Sequence, residues 1–291
     1  MKRLLMHAAL CAAMAMAAIS VQAKDEGLRI MSFNIRIQTA SDTGDYSWEG
    51  RKAACIKALK KHHPDVFGLQ EALSYHKAYL MKELPSYQMV DRSSKPGTLD
   101  QELQNNCNPI FFRTDRFELL DYGSFWLNAD QAPDEPGWDG EYARNVTWVK
   151  LECRKSGLIF FCFNTHFDHA GALARLQSSE LVVSKIKEIA GDNAVVFLTG
   201  DFNMPVSDKA MVPLKSYLQH SNQAVKKPDP KATYNGFGQK GGKPLRLDHI
   251  FFRNATVRSF FVIDGRKYGV EYISDHYPVC SDFFVPVPKG K

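Results

Sequence analysis

The chain has 291 residues, enough for one large domain or two small ones, with the composition of a soluble globular protein that has a sizeable core. Its 37 basic and 32 acidic side chains give a formal net charge of +5. A balance this mild tolerates an anionic substrate but argues against a protein built only to bind long polyanions.

The first 23 residues differ in composition from the rest. Lys2 and Arg3 precede an apolar, alanine-rich run over Leu4–Ile19, and Val21–Ala23 offers a cleavage site. This pattern predicts a secretory signal peptide that is cut after Ala23, and therefore an exported protein, periplasmic or secreted. A membrane anchor is the alternative, although the apolar run is short for one. Cleavage would lower the net charge to +3 and leave one domain over residues 24–291.

The cysteines do not suggest a disulfide framework. An odd number remains after signal removal, and an odd number cannot all pair within one chain. Most lie in apolar runs, which is typical of small buried hydrophobic residues. They are Cys55, Cys107, Cys153, Cys162 and Cys280.

Hydrophobic periodicity divides the chain into many short strands and a few helices. In chain order the predictions are strand Leu28–Ile35, helix Glu49–His62, strand Val66–Leu69, helix Tyr75–Leu84, strands Tyr87–Val90, Pro109–Phe112, Phe117–Trp126, Asn145–Leu151 and Leu158–Asn164, helix Ala172–Ala190, strand Ala194–Leu198, helix Lys209–Leu218, and strands Leu245–Phe252, Thr256–Ile263 and Val279–Val285. This pattern, without an internal repeat, predicts an α/β sandwich in which two sheets face each other and the helices lie outside.

The chemistry is expected to centre on the run Thr199–Asn203, which follows the buried strand Ala194–Leu198. We expect this strand to stop at Gly200. Alternation along an extended backbone would then aim Asp201 and Asn203 the same way and turn Phe202 into the core. Two short oxygen-bearing side chains suit a site for a hard metal ion, although Gly-Asp-x-Asn also makes ordinary turns.

Polar residues of the same chemical kind lie near the ends of other predicted strands, Asp275 and His276 at the start of the last one. They are Asn34, Glu71, His166, Asp248, Asp275 and His276. Because a sheet gathers its strand ends along one edge, these side chains are candidates for a single site. Carboxylates with few cysteines suit Mg²⁺ or Mn²⁺ rather than zinc, and the two histidines suit proton transfer or anion stabilisation.

Taken in order, these motifs resemble the set carried by the endonuclease/exonuclease/phosphatase superfamily: Ser-Phe-Asn34, Gln-Glu71, Asn-Thr-His166, Gly-Asp201-Phe-Asn203 and Ser-Asp275-His276. The superfamily includes deoxyribonuclease I, AP endonucleases, deadenylases, neutral sphingomyelinases and inositol polyphosphate 5-phosphatases. The resemblance extends over residues 28–285 and is strongest to an exported bacterial branch. Arg36 stands where some of the nucleases carry an acid, which counts against an AP endonuclease.

The resemblance implies a fold and a set of roles. The fold is the deoxyribonuclease I-like four-layer α/β sandwich, two mixed sheets flanked by helices, with the site where the sheets open. Glu71 would bind Mg²⁺ or Mn²⁺, with Asn34 beside it and Asp275 on the other side. Asp201 and Asn203 would hold the attacking water and the phosphate. His276, oriented by Asp248, would transfer a proton or stabilise charge, and His166 would bond a phosphate oxygen.

Several points remain open at this stage. Arg144, after an acidic loop at 128–142, is either a phosphate clamp or a surface arginine. Trp138, Tyr234 and Phe237 could stack a base or sugar, or could pin loops to the core. The favoured function is an exported, divalent-metal-dependent phosphoesterase that hydrolyses a phosphodiester or phosphomonoester by attack of water. Its substrate would be a phosphorylated small molecule, a lipid headgroup or nucleic acid. A nuclease and a non-catalytic binding protein are the alternatives, and we expect a monomer.

Overall fold

The computed structural model describes residues 25–92, 108–238 and 245–287, so the predicted signal peptide lies outside the described residues. The helices and strands are β1 (Glu26–Asn34), α1 (Trp48–His62), β2 (Val66–Gln70), α2 (Ser74–Glu83), β3 (Tyr87–Val90), β4 (Ile110–Arg113), β5 (Phe117–Trp126), β6 (Asn145–Cys153), β7 (Ile159–His166), α3 (Ala172–Ala190), β8 (Val195–Asp201), α4 (Val212–Tyr217), β9 (Gln219–His220), α5 (Ser221–Ala224), β10 (Asp248–Arg253), β11 (Thr256–Val262) and β12 (Val279–Val285).

The strands form two six-stranded mixed sheets. The first sheet has the order β11-β12-β1-β2-β4-β3 and the second has the order β5-β6-β7-β8-β10-β9. Each sheet has one parallel pair near its centre, β1 with β2 and β7 with β8. The carboxyl ends of these four strands therefore provide the natural place for a site at the edge of the sandwich.

Three apolar cores separate four layers. Period-two alternation sends Ile30 of β1 and Phe197 of β8 into the core between the sheets. On the outer faces, Phe33 of β1 packs against α1 in a second core, and Val182 of α3 packs against the other sheet in a third. The predicted α/β sandwich with helices outside is confirmed.

Most predicted elements are present, but two needed correction. The predicted helix Lys209–Leu218 is divided into a 3₁₀ turn at Lys209–Met211 and the short helix α4. Pro213 lies in the first turn of α4, where a residue without an amide hydrogen is tolerated, and this places a helix start inside the predicted span. The predicted loop after His220 opens with the single helical turn α5.

The cysteines within the described residues are free and buried; they are Cys55, Cys153, Cys162 and Cys280, and Cys107 lies outside the described residues. Burial raises the pKa of the Cys55 thiol to about 12, so this group behaves as a small apolar side chain. In the part of the chain that the structure describes, no helix combines the length and apolarity needed to cross a membrane.

Candidate active site

Strand register brings several candidate residues side by side at one edge of the sandwich. His166 on β7 is in register with Asp201 on β8, and Asp201 is in register with Asp248 on β10. In the other sheet Asn34 ends β1 and pairs with Gln70, the residue before Glu71. Because the two sheets are stacked, the polar residues on β7, β8 and β10 face those at the ends of β1 and β2.

All nine predicted site residues gather at this edge. A cleft of about 510 Å³ is lined by Glu71, Arg144, His166, Asp201, Asn203, Asp275 and His276, together with residues that include Arg36, Tyr142 and Leu245. The remaining two predicted residues, Asn34 and Asp248, are buried directly behind the lining and contact it by hydrogen bonds. We call this space the cleft.

Asn34 joins the two sheets at the floor of the cleft. Its Nδ2 donates to Glu71 Oε1 and to Asp201 Oδ2, at 3.0 Å in each case. Its Oδ1 accepts from the Arg36 amide at 3.0 Å. Glu71 has a positive φ of 62°, and its Oε2 accepts from the Ile37 amide at 2.7 Å. The Glu71 carboxylate is therefore held in one orientation from both of its oxygens.

The backbone after β8 differs from the prediction. The strand continues through Asp201 rather than stopping at Gly200, and Asn203 has φ of 51°, in the left-handed region. Strand alternation therefore does not explain why Asp201 and Asn203 both line the cleft. A tight turn does, because the Asn203 amide donates to Asp201 Oδ1 at 3.0 Å while Phe202 is fully buried.

Hydrogen bonds assign the proton positions of His166. Asn203 Nδ2 donates to the Phe167 carbonyl at 2.9 Å, which fixes the orientation of the amide, and the same nitrogen lies 3.0 Å from His166 Nε2. Nε2 must therefore accept, so the neutral ring carries its hydrogen on Nδ1. Burial holds the pKa of His166 well below its usual range. Among the residues that the structure describes, none accepts a hydrogen bond from the buried Nδ1–H.

His276 favours the protonated form, whereas His166 favours the neutral form. Its Nδ1 lies 2.7 Å from Asp248 Oδ2, and its Nε2 lies 3.7 Å from Asp201 Oδ2. Burial alone would lower the pKa of His276, but the Asp248 and Asp201 carboxylates outweigh burial and hold the pKa well above its usual value. The Asp248–His276 pair thus presents a protonated or readily protonated Nε2 to the cleft.

The cleft contains several closely spaced buried carboxylates, which His276 and Arg36 offset only in part. Burial raises the pKa of Asp201, and the neighbouring Asp248 adds to the rise. Burial likewise raises the pKa of Asp275, with Glu71 contributing in the same direction. Arg36 offsets part of this charge through an ion pair of 3.3 Å with Asp275 Oδ2. Such a group of carboxylates suits a bound cation.

Arg144 is a buried cation that lacks a close carboxylate partner. Its Nε forms a long ion pair of 3.9 Å with Asp168 Oδ2 and makes no hydrogen bond within the described part of the chain. The Asp168 carboxylate instead accepts from four backbone amides, including those of Glu141 and Tyr142, and thereby fixes the end of the long acidic loop. Burial lowers the pKa of the Arg144 guanidinium. A desolvated guanidinium that faces a cleft favours an anionic ligand.

One group of His and Asp side chains, within the described residues, is compact enough to hold a metal ion. Ligand atoms of Asp201, Asp248 and His276 lie within 4.8 Å of one another. This group overlaps the predicted catalytic residues rather than the predicted metal ligands Asn34, Glu71 and Asp275. The 2.7 Å hydrogen bond between Asp248 and His276 already occupies one oxygen and one nitrogen of the group.

A second polar layer, which the sequence analysis did not single out, lies directly beneath the site. Asn164 Oδ1 accepts from Gln70 Nε2 at 2.6 Å and from Thr199 Oγ1 at 2.9 Å, and Gln70 Nε2 also lies 3.2 Å from Ser32 Oγ. All four residues are buried, and they connect β1 and β2 to β7 and β8. Each precedes a site residue by one or two positions, so strand alternation was the signal that could have identified them. We call these four residues the inter-sheet network.

The three loop aromatics have different environments. Tyr234 lines the cleft, and its ring centroid lies 5.0 Å from that of His276. Phe237 is buried and stacks on Tyr46 at 4.8 Å, so it fixes a loop to the core. Trp138 is half-buried and is not among the residues that line the cleft. Tyr142, with 46% of its surface exposed, is a cleft aromatic that the sequence analysis missed.

Comparisons with known proteins identify the family of this chain. The model of the Endonuclease/Exonuclease/phosphatase family matches residues 31–276, which spans the candidate site from Asn34 to His276. A mimivirus protein, uncharacterized protein R895 of Acanthamoeba polyphaga mimivirus, is 26% identical over 231 residues. The match covers 68% of this chain but 33% of the viral protein, so the chain spans about a third of the length of that relative.

Several solved structures share the whole fold. An endonuclease/exonuclease/phosphatase family protein from Bacteroides thetaiotaomicron is 28% identical with a TM-score of 0.79, covering 90% of this chain and 99% of its own. A mannosyl-6-phosphatase from the same species is 29% identical with a TM-score of 0.77, covering 88% and 99%. Zebrafish TDP2 with a single-stranded DNA product is 21% identical with a TM-score of 0.71, covering 89% and 99%, and shows the fold alone.

Proposed function

The chain belongs to the endonuclease/exonuclease/phosphatase family, and from that premise we propose that it is a divalent-metal-dependent phosphoesterase that hydrolyses a phosphodiester or phosphomonoester by direct attack of water. One observation carries the proposal: a single cleft holds several carboxylates and also a buried arginine without a close carboxylate partner. The carboxylates suit a cation and the arginine suits an anion. A metal ion and a phosphoryl group together satisfy both requirements.

We assign the cation to Mg²⁺ or Mn²⁺, with Glu71 and Asp275 as its main ligands and Asn34 beside them. Glu71 and Asp275 fit, because they offer carboxylate oxygens, which hard cations prefer. Asn34 supports the site through its Nδ2, which donates to Glu71 Oε1. The alternative group of Asp201, Asp248 and His276 fits less well, since the Asp248–His276 hydrogen bond already engages one oxygen and one nitrogen of the group, and a histidine nitrogen is a softer ligand than the oxygens that Mg²⁺ prefers. When bound, the ion would neutralise charge on the phosphate oxygens and on the leaving group.

The phosphate would be bound by Arg144 and His166, which both line the cleft. The Arg144 guanidinium offers charge-assisted donors to phosphate oxygens, and its ion pair with Asp168 is long, at 3.9 Å. We assign to His166, which lies beside Asn203 on the same wall of the cleft, a hydrogen bond to a phosphate oxygen. Asn203 contributes differently, because its Nδ2 is engaged by Phe167 and His166. Its oxygen remains to accept a hydrogen bond from the attacking water.

Proton transfer falls to the neighbouring Asp201 and His276. Asp201 Oδ2 lies 3.7 Å from His276 Nε2 and 3.0 Å from Asn34 Nδ2, so it is oriented toward the space that the attacking water would occupy. Asp201 Oδ2 and His276 Nε2 are the atoms that hold or pass the proton of that water. Asp248 is a positioning residue, since it fixes the His276 ring through Nδ1 without lining the cleft.

The substrate that we favour is a small phosphorylated molecule, first of all a sugar phosphate. A solved protein that is 29% identical to this chain carries the name mannosyl-6-phosphatase. Tyr142, Tyr234 and Leu245 give the cleft an apolar side that suits a compact organic group attached to the phosphate. Phospholipid headgroups and nucleic acid are the other substrates to be compared.

We also propose that the enzyme is exported, on the basis of the basic and apolar pattern of the first 23 residues. Expression of the full chain in a bacterial host tests this directly. Export predicts that the periplasmic or secreted protein begins after Ala23. An uncleaved cytoplasmic product would refute the proposal.

The function is tested by measuring phosphate release from a panel of sugar phosphates, nucleotides and inositol phosphates, alongside gel assays with DNA and RNA. We expect turnover with Mg²⁺ and its loss in EDTA, restored by added metal. Glu71→Gln and His276→Ala should each lower kcat/KM by at least about 100-fold, the usual range for loss of a metal ligand or an acid-base group.

Glu188→Gln provides a matched control, because Glu188 is an exposed acid on α3 whose partner is Lys185. It should have the activity of the unmodified protein. Wild-type turnover by both Glu71→Gln and His276→Ala would refute the assigned roles. Metal binding without turnover of any phosphoester would instead favour a binding protein on the same scaffold.

A further inference from the structure

A second cavity, of about 610 Å³, lies on the outer side of the first sheet between the starts of α1 and α2. Its lining includes Gln38, Trp48, Glu49, Lys52, Tyr75 and Tyr79. We propose that this aromatic cavity is a subsite that binds a neutral sugar ring attached to the phosphorylated group. The inference rests on the proposed function, since it names the part of the substrate beyond the phosphate.

The aromatic cavity is connected to the cleft by one short stretch of backbone. The Ile37 amide donates to Glu71 Oε2 at 2.7 Å, and the next amide, that of Gln38, donates to Tyr75 Oη at 3.3 Å. Adjacent amide nitrogens are less than 4 Å apart, so the Tyr75 hydroxyl lies at most about 10 Å from the Glu71 carboxylate. That separation is within the span of a substrate with two linked rings.

The side chains suit a sugar. Tyr75 has 39% of its surface exposed, which leaves its ring available for the C–H face of a sugar. The ring is anchored, since its centroid lies 4.2 Å from that of the buried His76, whose ring in turn contacts buried Trp48 at 4.4 Å. Gln38 and Glu49 supply polar groups at the rim. Rigid aromatic surface with a few polar groups is typical of small-molecule sites.

Charge distinguishes a neutral sugar from a nucleic acid strand. Lys52 is the cation of this cavity, and it is paired with Glu49 while its Nζ lies 5.2 Å from the Tyr79 ring centroid. Binding of a nucleic acid backbone depends on cations available to the phosphates. A cation that is already neutralised favours an uncharged polyhydroxylated ring.

The test uses glucose 6-phosphate and trehalose 6-phosphate, which share the phosphorylated ring and differ by one glucose unit. We expect Tyr75→Ala to lower the ratio of kcat/KM for the disaccharide over the monosaccharide by about tenfold, the upper end for one aromatic contact. Tyr75→Phe keeps the ring and should retain the ratio. Saturation-transfer NMR with unphosphorylated trehalose should show contact with the wild type and with Tyr75→Phe, and none with Tyr75→Ala.

The NMR arm does not depend on catalysis, so the proposed function and the subsite can fail separately. A protein without phosphatase activity that still contacts trehalose through Tyr75 would refute the function and support the cavity. Absence of saturation transfer to the wild type, or an unchanged kcat/KM ratio in Tyr75→Ala, would overturn the subsite. The subsite would also be overturned if Tyr75→Ala changed the kcat/KM ratio of a 5′-phosphorylated dinucleotide over a mononucleotide but not the ratio between the two sugars. The cavity would then bind a nucleobase rather than a sugar.

Discussion

Replacing Asn164 by leucine should destabilise the protein strongly, because this side chain holds the two sheets together beneath the cleft. Its amide makes four hydrogen bonds, to Gln70, to Thr199 and to the carbonyls of Leu69 and Pro109. Leucine has a similar volume but makes none of them. At about 1 kcal/mol for each bond, the expected loss is about 4 kcal/mol of unfolding free energy. That is a large share of the 5–15 kcal/mol typical of a domain.

The measurement is urea denaturation of the mature domain, followed by fluorescence. Thr199→Val is a graded control, since it removes only the hydroxyl, which donates to Asn164 Oδ1 and Phe163 O. It should lower the unfolding free energy by about 1 kcal/mol. A loss below 1 kcal/mol in Asn164→Leu would mean that the network is dispensable and that the sheets are positioned by apolar packing alone.

Three further predictions concern other buried groups. In Gly68→Ala, the added Cβ would lie about 2.5 Å from the Thr199 hydroxyl of the facing sheet. This variant should therefore have a much lower melting temperature than Gly27→Ala, whose Cβ meets nothing within 4 Å. Burial lowers the pKa of His76 to about 3, so below its unfolded value near 6.5 the unfolded chain binds more protons. His76 should therefore contribute a fall of about 1.4 kcal/mol in unfolding free energy per pH unit from pH 6 toward pH 4, and His76→Gln should remove that contribution from the slope in pH-dependent denaturation. The Lys77 ammonium lies 2.6 Å from the buried Asp91 carboxylate, so Lys77→Met leaves Asp91 without its partner. Urea denaturation should show a loss of about 3–5 kcal/mol in unfolding free energy for Lys77→Met, and the double variant with Asp91→Leu should recover much of that loss. The glycine argument would be contradicted if Gly68→Ala and Gly27→Ala had the same melting temperature. The other two would be contradicted by a pH slope that His76→Gln leaves unchanged and by a double variant that is no more stable than Lys77→Met.

Much of the fold could be read from local patterns. The bounds of β5, α3 and β12 agree with prediction because their hydrophobic periodicity is continuous and ends at clear turn residues. The helix predicted over Lys209–Leu218 was too long because a periodic apolar pattern does not reveal where the first turn tightens to 3₁₀ geometry. The left-handed turn at Asn203 was also missed, since asparagine permits that conformation without requiring it.

For the site, the sequence supplied the chemistry but not all of the geometry. Asn34, Glu71 and Asp201 were identifiable because each follows an apolar strand, and they lie within one hydrogen-bonded group. The Arg144 environment was not predictable, because whether an arginine after a loop is buried depends on how that loop is tied down, here by Asp168. The aromatic cavity was equally hidden, since it joins helix starts that are separated in the sequence.

Local patterns alone specify the strands, the alternation of their faces and the polar residues near several strand ends, because these depend on residues that are neighbours along the chain. The packing of the two sheets brings the ends of β1, β2, β7 and β8 into one cleft. It also decided that the four-residue inter-sheet network lies under them. Those relations are set by the stacking of two sheets, a contact between segments more than 90 residues apart that no local pattern encodes.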